Sequence, residues 1–112
     1  LVPNALPAAT RSNAVLAGDI DGDGDLDLVI SRNTARELVL VNNGTGTFAD
    51  ASATWMPDVV DTTQDLKLVD LDGDGDLDLI AANESAGGGR NRLYVNLGTR
   101  FADETTTRLP AP

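Results

Sequence analysis

The sequence predicts an all-β protein made of two copies of one four-stranded antiparallel unit. Three observations carry that expectation. Every apolar segment is short and reads as a strand, with no helical periodicity in any of them. A nine-residue phrase occurs twice, DIDGDGDLD at 19–27 and DLDGDGDLD at 70–78, an offset of 51 residues. The strand-like segments around each phrase recur in the same order.

Residues 1–12 form an irregular lead-in, since Pro3 and Pro7 oppose a helix. AVLAGDI at 14–20 is a strand that runs into the first acidic phrase, and LDLVIS at 26–31 leaves it. Leu26, Leu28 and Ile30 fall on one face of that second strand and Val29 on the other. After a polar connection, ELVLVN at 37–42 is the third strand. Asn43-Gly44-Thr45-Gly46 is a turn of the kind that joins antiparallel strands, and TFADAS at 47–52 is the fourth.

The order then repeats. DLKLVDL at 65–71 enters the second phrase and LDLIAA at 77–82 leaves it. A connection containing Gly87, Gly88 and Gly89 leads to RLYVN at 92–96. Leu97-Gly98-Thr99 is the turn and RFADET at 100–105 the last strand. The expected units are 13–56 and 57–112. Runs such as LVI and LVLV are apolar at consecutive positions, so both faces of each sheet are expected to be covered. A four-stranded antiparallel unit of this length, covered on both faces by its neighbours, is a β-propeller blade.

The two phrases also dominate the charge. The chain has 112 residues, 8 basic and 18 acidic, for a formal net charge of −10. Ten of the 18 acids are the Asp residues of the phrases, so the rest of the chain is balanced. A local concentration of negative charge argues against nucleic acid or an anionic membrane as partner. No run is apolar enough to insert in a membrane, and the first residues do not read as an intact signal peptide. With no Cys and no His, disulfides, thiol chemistry, ordinary structural zinc sites and histidine acid–base catalysis are excluded. Missing Cys does not decide the compartment.

Five carboxylates in one tight turn repel each other strongly at neutral pH, so something must neutralise them. Asp19, Asp21, Asp23, Asp25 and Asp27 alternate along the first phrase, and Asp70, Asp72, Asp74, Asp76 and Asp78 along the second. Hard oxygen donors gathered on a Gly-containing turn suit Ca²⁺, one ion per phrase and two per chain. Mg²⁺ suits it less well, because it demands a smaller octahedron and sheds water reluctantly. An EF-hand shares the D-x-D-x-D-G opening but needs a bidentate acid at its twelfth position between two helices. Here the twelfth positions are Ile30 and Ala81, and strands flank both loops.

GDIDGDGDLDLVI followed by LVLVNNGTGTF, and VDLDGDGDLDLIAAN followed by LYVNLGTRF, resemble the FG-GAP or VCBS-type repeat. The resemblance covers nearly everything after the lead-in. It implies the blades of an integrin-alpha-like propeller and a calcium hairpin of the form D-h-D-x-D-G-x-x-D-h. On that pattern the side-chain ligands are Asp19, Asp21, Asp23 and Asp27, with the backbone carbonyl of Asp25. In the second copy they are Asp70, Asp72, Asp74 and Asp78, with the carbonyl of Asp76. Gly24 and Gly75 stand where the loop needs an unusual backbone conformation. The integrin Phe-Gly and Gly-Ala-Pro signatures are not intact, which groups the chain with bacterial variants and withholds integrin ligands. The family also implies secreted or surface-attached placement.

Other features carry less. Gly87–Gly89 lacks the Lys-Ser/Thr and strand–loop–helix setting of a phosphate loop and reads as a hairpin connection. Phe48 and Phe101 hold equivalent positions and read as packing residues. Trp55, in a loop before Pro57, reads as packing at a blade junction. The acids outside the phrases form no pair suited to glycoside hydrolysis, so the expectation is a protein without enzymatic activity.

Propellers have ~4–8 blades, and two leave apolar faces open. Either the pair belongs to a longer propeller, or copies of the chain complete a ring head to tail. The two repeats begin and end in step with whole blades, which favours a homo-oligomer of three or four chains. The functional expectation is a calcium-stabilised scaffold that recognises a protein or glycan. The alternative is an accessory piece of a larger secreted enzyme or adhesin.

Overall fold

A computed structural model describes residues 14–32, 36–59, 62–83 and 91–110. The 1–12 lead-in and the Gly87–Gly89 connection lie outside these. The described chain forms two four-stranded antiparallel sheets, each with its strands in sequence order.

In the first sheet, β1 (Val15–Gly18) runs through the acidic loop into β2 (Asp27–Ile30), followed by β3 (Leu38–Asn42) and β4 (Phe48–Asp50). Leu16 pairs with Val29 and Val29 with Val39, which fixes one apolar row across three strands. Ile30 with Leu38, and Leu28 with Leu40, make the row on the opposite face. Leu28 and Ile30 thus oppose Val29 as expected, whereas Leu26 belongs to the loop and is exposed.

The second sheet repeats the plan with β5 (Thr63–Val69), β6 (Asp78–Asn83), β7 (Arg92–Asn96) and β8 (Phe101–Asp103). β5 starts two residues earlier than the apolar pattern suggested and carries an irregularity between Thr63 and Asp65.

The fourth strands are shorter than read from sequence. Each stops at Asp50 or Asp103 and gives way to a single helical turn, α1 (Ser52–Trp55) and α2 (Thr105–Arg108). The cause is local. Asp50 Oδ1 accepts from both the amide (3.0 Å) and the hydroxyl (2.7 Å) of Ser52, turning the chain out of the strand. The Ser52 hydroxyl then accepts from the Val39 amide at 2.8 Å. Asp103, Thr105 and Leu93 make the same three bonds in the second unit.

The core lies between the sheets. Val29 and Val39 from the first unit meet Leu66, Leu79, Ala81, Tyr94 and Phe101 from the second. Each large side chain buried there contributes roughly 1.5–3 kcal/mol. Trp55 closes the seam, its ring centroid 5.3 Å from that of Phe101 at a tilt of 59°. The expectation that Trp55 packs at the junction holds, although it ends α1 and is not in a loop. Ile30, Leu38 and Leu40 form a second buried cluster on the far face of the first sheet.

Candidate metal centre

Each acidic loop sits between the first and second strands of its sheet and folds around its first Asp. Asp19 Oδ1 accepts from the amides of Gly22 (2.9 Å) and Asp23 (3.2 Å), and Oδ2 from Gly24 (2.9 Å). Asp70 accepts from Gly73, Asp74 and Gly75 at the same three distances. Wrapping the backbone so tightly requires positive φ at both glycines of each loop, Gly22 (76°) and Gly24 (90°), Gly73 (76°) and Gly75 (92°). Sequence reasoning singled out only the second of each pair.

One carboxylate oxygen from each of Asp19, Asp21, Asp23 and Asp27 lies within 4.8 Å of the others, and the same holds for Asp70, Asp72, Asp74 and Asp78. Two donors on opposite sides of a Ca²⁺ ion stand ~5 Å apart, because each bond is ~2.3–2.6 Å. The donor set and its spread therefore fit such an ion, and each cluster could hold one. The fourth acid of each phrase, Asp25 or Asp76, is not in its cluster. Asp25 turns toward the β3–β4 turn, where its Oδ2 lies 3.0 Å from where a Cβ on Gly44 would sit.

The electrostatics follow from this crowding. Asp21 is pushed up to about 6, first by burial and then by its hydrogen bond to Asp23, with the charges of Asp27 and Asp23 adding. Asp72 is raised by the same causes. Asp19 moves the other way: burial opposes ionisation, but the amides of Gly24, Gly22 and Asp23 outweigh it and lower the pKa. Asp70 is lowered, chiefly by the Gly75 amide. One acid per loop is thus favoured as the carboxylate while another resists ionisation.

The ninth acids do a second task that the spacing did not reveal. Asp27 and Asp78 are fully buried. Asp27 Oδ2 accepts from Ile20 N at 3.0 Å and Oδ1 from Asn42 N at 2.9 Å. Asp78 likewise accepts from Leu71 N and Asn96 N, both at 2.9 Å. Each ties the start of its loop to the end of the third strand of its sheet.

Asn42 and Asn96 were not singled out either. The signal was an Asn ending both third strands, two residues before a glycine. Asn96 is buried; its Oδ1 accepts from Gly98 N at 2.7 Å. Its Nδ2 donates to Leu77 O at 2.9 Å and, across the seam, to Ile20 O at 2.8 Å.

A four-stranded sheet repeated in order, each with an Asp-rich loop after its first strand, is the pattern of a repeat protein. The FG-GAP-like repeat matches twice, over residues 19–81 and 70–112, each match starting at the first Asp of a loop. The chain belongs to the FG-GAP-like repeat family. It is also similar to cartilage acidic protein 1 of Xenopus tropicalis, 28% identical over 108 residues. That similarity takes in 92% of this chain but 16% of the relative's length. No solved structure matches.

Proposed function

We propose that this chain is a calcium-binding, non-catalytic scaffold unit of a β-propeller, with 13–56 and 57–112 as its two blades. The observation that carries the reading is the pair of four-Asp clusters at the same place in both repeats. Asp19, Asp21, Asp23 and Asp27 would hold one ion and Asp70, Asp72, Asp74 and Asp78 the other, with the carbonyls of Asp25 and Asp76 completing each site. The ions neutralise loops that otherwise repel themselves, so their role is to hold the fold. Loops on one face of the assembled propeller would recognise a protein or glycan. A relative named for cartilage supports an extracellular setting, as does the range of calcium sites of ~10⁻⁴–10⁻³ M found in extracellular modules.

The exposed ends of the pair support head-to-tail assembly of copies, for which we propose a ring of three or four chains. Three residues buried at the seam have exposed counterparts at the outer ends of the pair. Leu66 and Ile20 are 1% exposed and Met56 3%, whereas the matching Val15, Leu71 and Leu109 are 58%, 45% and 36% exposed. The same repeat position is therefore covered where a neighbouring unit exists. The relative's greater length favours a second reading, in which further repeats of one longer chain supply that cover.

Native mass spectrometry in millimolar calcium, and again after chelation, tests both parts. A discrete trimer or tetramer carrying two ions per chain is expected. A monomer with two ions would overturn self-assembly alone, and a chain without ions would overturn the calcium reading.

A further inference from the structure

The two acidic loops meet at one side chain. Asn96 Nδ2 has two hydrogens, and each goes to a carbonyl inside a different loop. Ile20 lies between Asp19 and Asp21 in the first, and Leu77 lies between Asp76 and Asp78 in the second. The orientation of the amide follows from its partners, since two carbonyls can only accept. The same residue's backbone amide donates to Asp78 Oδ1, and Ile20 N in turn donates to Asp27 Oδ2. An unbroken path of hydrogen bonds thus runs from Asp27 through Ile20 and Asn96 to Asp78, all four buried. The approach is close as well: a Cβ on Gly18, just before the first loop, would come within 3.0 Å of Leu77 Cδ1.

Resting on the calcium reading above, we infer that Asn96 is a positioning residue that couples the two cation sites. Its amide can bridge only when both loops hold their folded shape. An ion that orders one loop therefore fixes one end of the bridge and lowers the ordering cost of the other loop. By linkage the effect is reciprocal, so filling either site raises the affinity of its partner. Asn42 provides the internal contrast. Its backbone amide binds Asp27 and its Oδ1 binds Gly44, but among the described residues it bridges no second loop.

The test is calcium titration followed by the amide resonances of Gly22 and Gly24 for the first loop and Gly73 and Gly75 for the second. The first loop's affinity is measured in the intact chain and with the second loop disabled by Asp72→Ala and Asp74→Ala. The expected result is a loss of threefold or more at the first loop when the second is disabled. In the Asn96→Ala background the same disabling changes nothing. Asn96→Ser, polar but too short to reach either carbonyl, serves if Asn96→Ala does not fold. Asn42→Ala removes only side-chain bonds to the β3–β4 turn and leaves the coupling intact, which a merely structural role for Asn96 would not predict. A first loop indifferent to the second in the otherwise unaltered chain overturns the inference, as does coupling that survives without Asn96. Independent binding at both loops sinks the coupling alone, whereas no binding at either sinks the calcium reading with it.

Discussion

Within each loop, acids of the same type do opposite things. Asp27 and Asp78 are buried and hold two backbone amides each, so they act on the fold whether or not an ion is present. Asp78→Ala leaves the buried Asn96 amide and the partly buried Leu71 amide without acceptors; the buried one alone costs roughly 1–3 kcal/mol. The urea midpoint should already fall in chelator, and fall further in calcium, where a proposed ligand is lost as well. Asp21 and Asp72 instead crowd their neighbours, and their raised pKa values show that ionisation there is resisted. The double variant Asp21→Ala, Asp72→Ala should melt no lower than the parent in chelator and lose most of the stabilisation that millimolar calcium brings. Equal melting shifts on calcium addition in parent and variant would refute a structural role for the ion. The acids themselves were legible in the sequence because their chemistry sits within nine contiguous residues. Their division of labour was not, because it depends on Asn42 and Asn96 arriving from the third strands.

At the scale of the element, the edge of each sheet is finished by an Asp and a hydroxyl residue. Asp50 is exposed; partial desolvation opposes its ionisation, but the Ser52 hydroxyl and amide and the Arg32 charge outweigh this and lower its pKa. A lowered folded pKa means stability that is present above the ordinary value of 3.8 and lost as pH falls through the folded value. Asp50→Asn keeps the shape and removes the charge. It should therefore cost something under about 1 kcal/mol at pH 7, as expected for an exposed charge-assisted bond. The gap from the parent should close as pH falls below the ordinary carboxylate value of 3.8, and a gap independent of pH would contradict the assignment. These four-residue turns escaped sequence reading because they are too short to show a helical period. The strands were readable because their apolar runs are continuous, and the rows Leu16–Val29–Val39 and Ile30–Leu38 follow directly from alternation.

For the whole molecule, the repeat explains more than either unit does. The second unit meets the first with Leu66, Leu79, Tyr94 and Phe101, and the first answers with Ile20, Val29, Trp55 and Met56. The faces differ, so the contact is head to tail and can be continued by further units of the same kind. If copies continue it, Leu71→Asp should abolish assembly by placing a charge at the counterpart of buried Ile20, while the chain's own melting temperature changes little. Persistence of the oligomer in that variant would show that this end of the pair is not the docking surface. The repeat period was legible at once from the duplicated phrase. The seam was legible only as a need for covered faces, because the residues that meet there are far apart along the chain.

The single tryptophan gives this seam a voice of its own. Trp55 is 5% exposed and stacked at a tilt on Phe101, so its indole is shielded only while the two sheets stay together. Its emission is then an unlabelled gauge of the joint, and the far-ultraviolet dichroism of the strands is a separate gauge of the sheets. On heating or chelation, an emission red shift that precedes the dichroism change would mean that the sheets part before they melt. Coincident changes would mean that neither sheet outlives its partner.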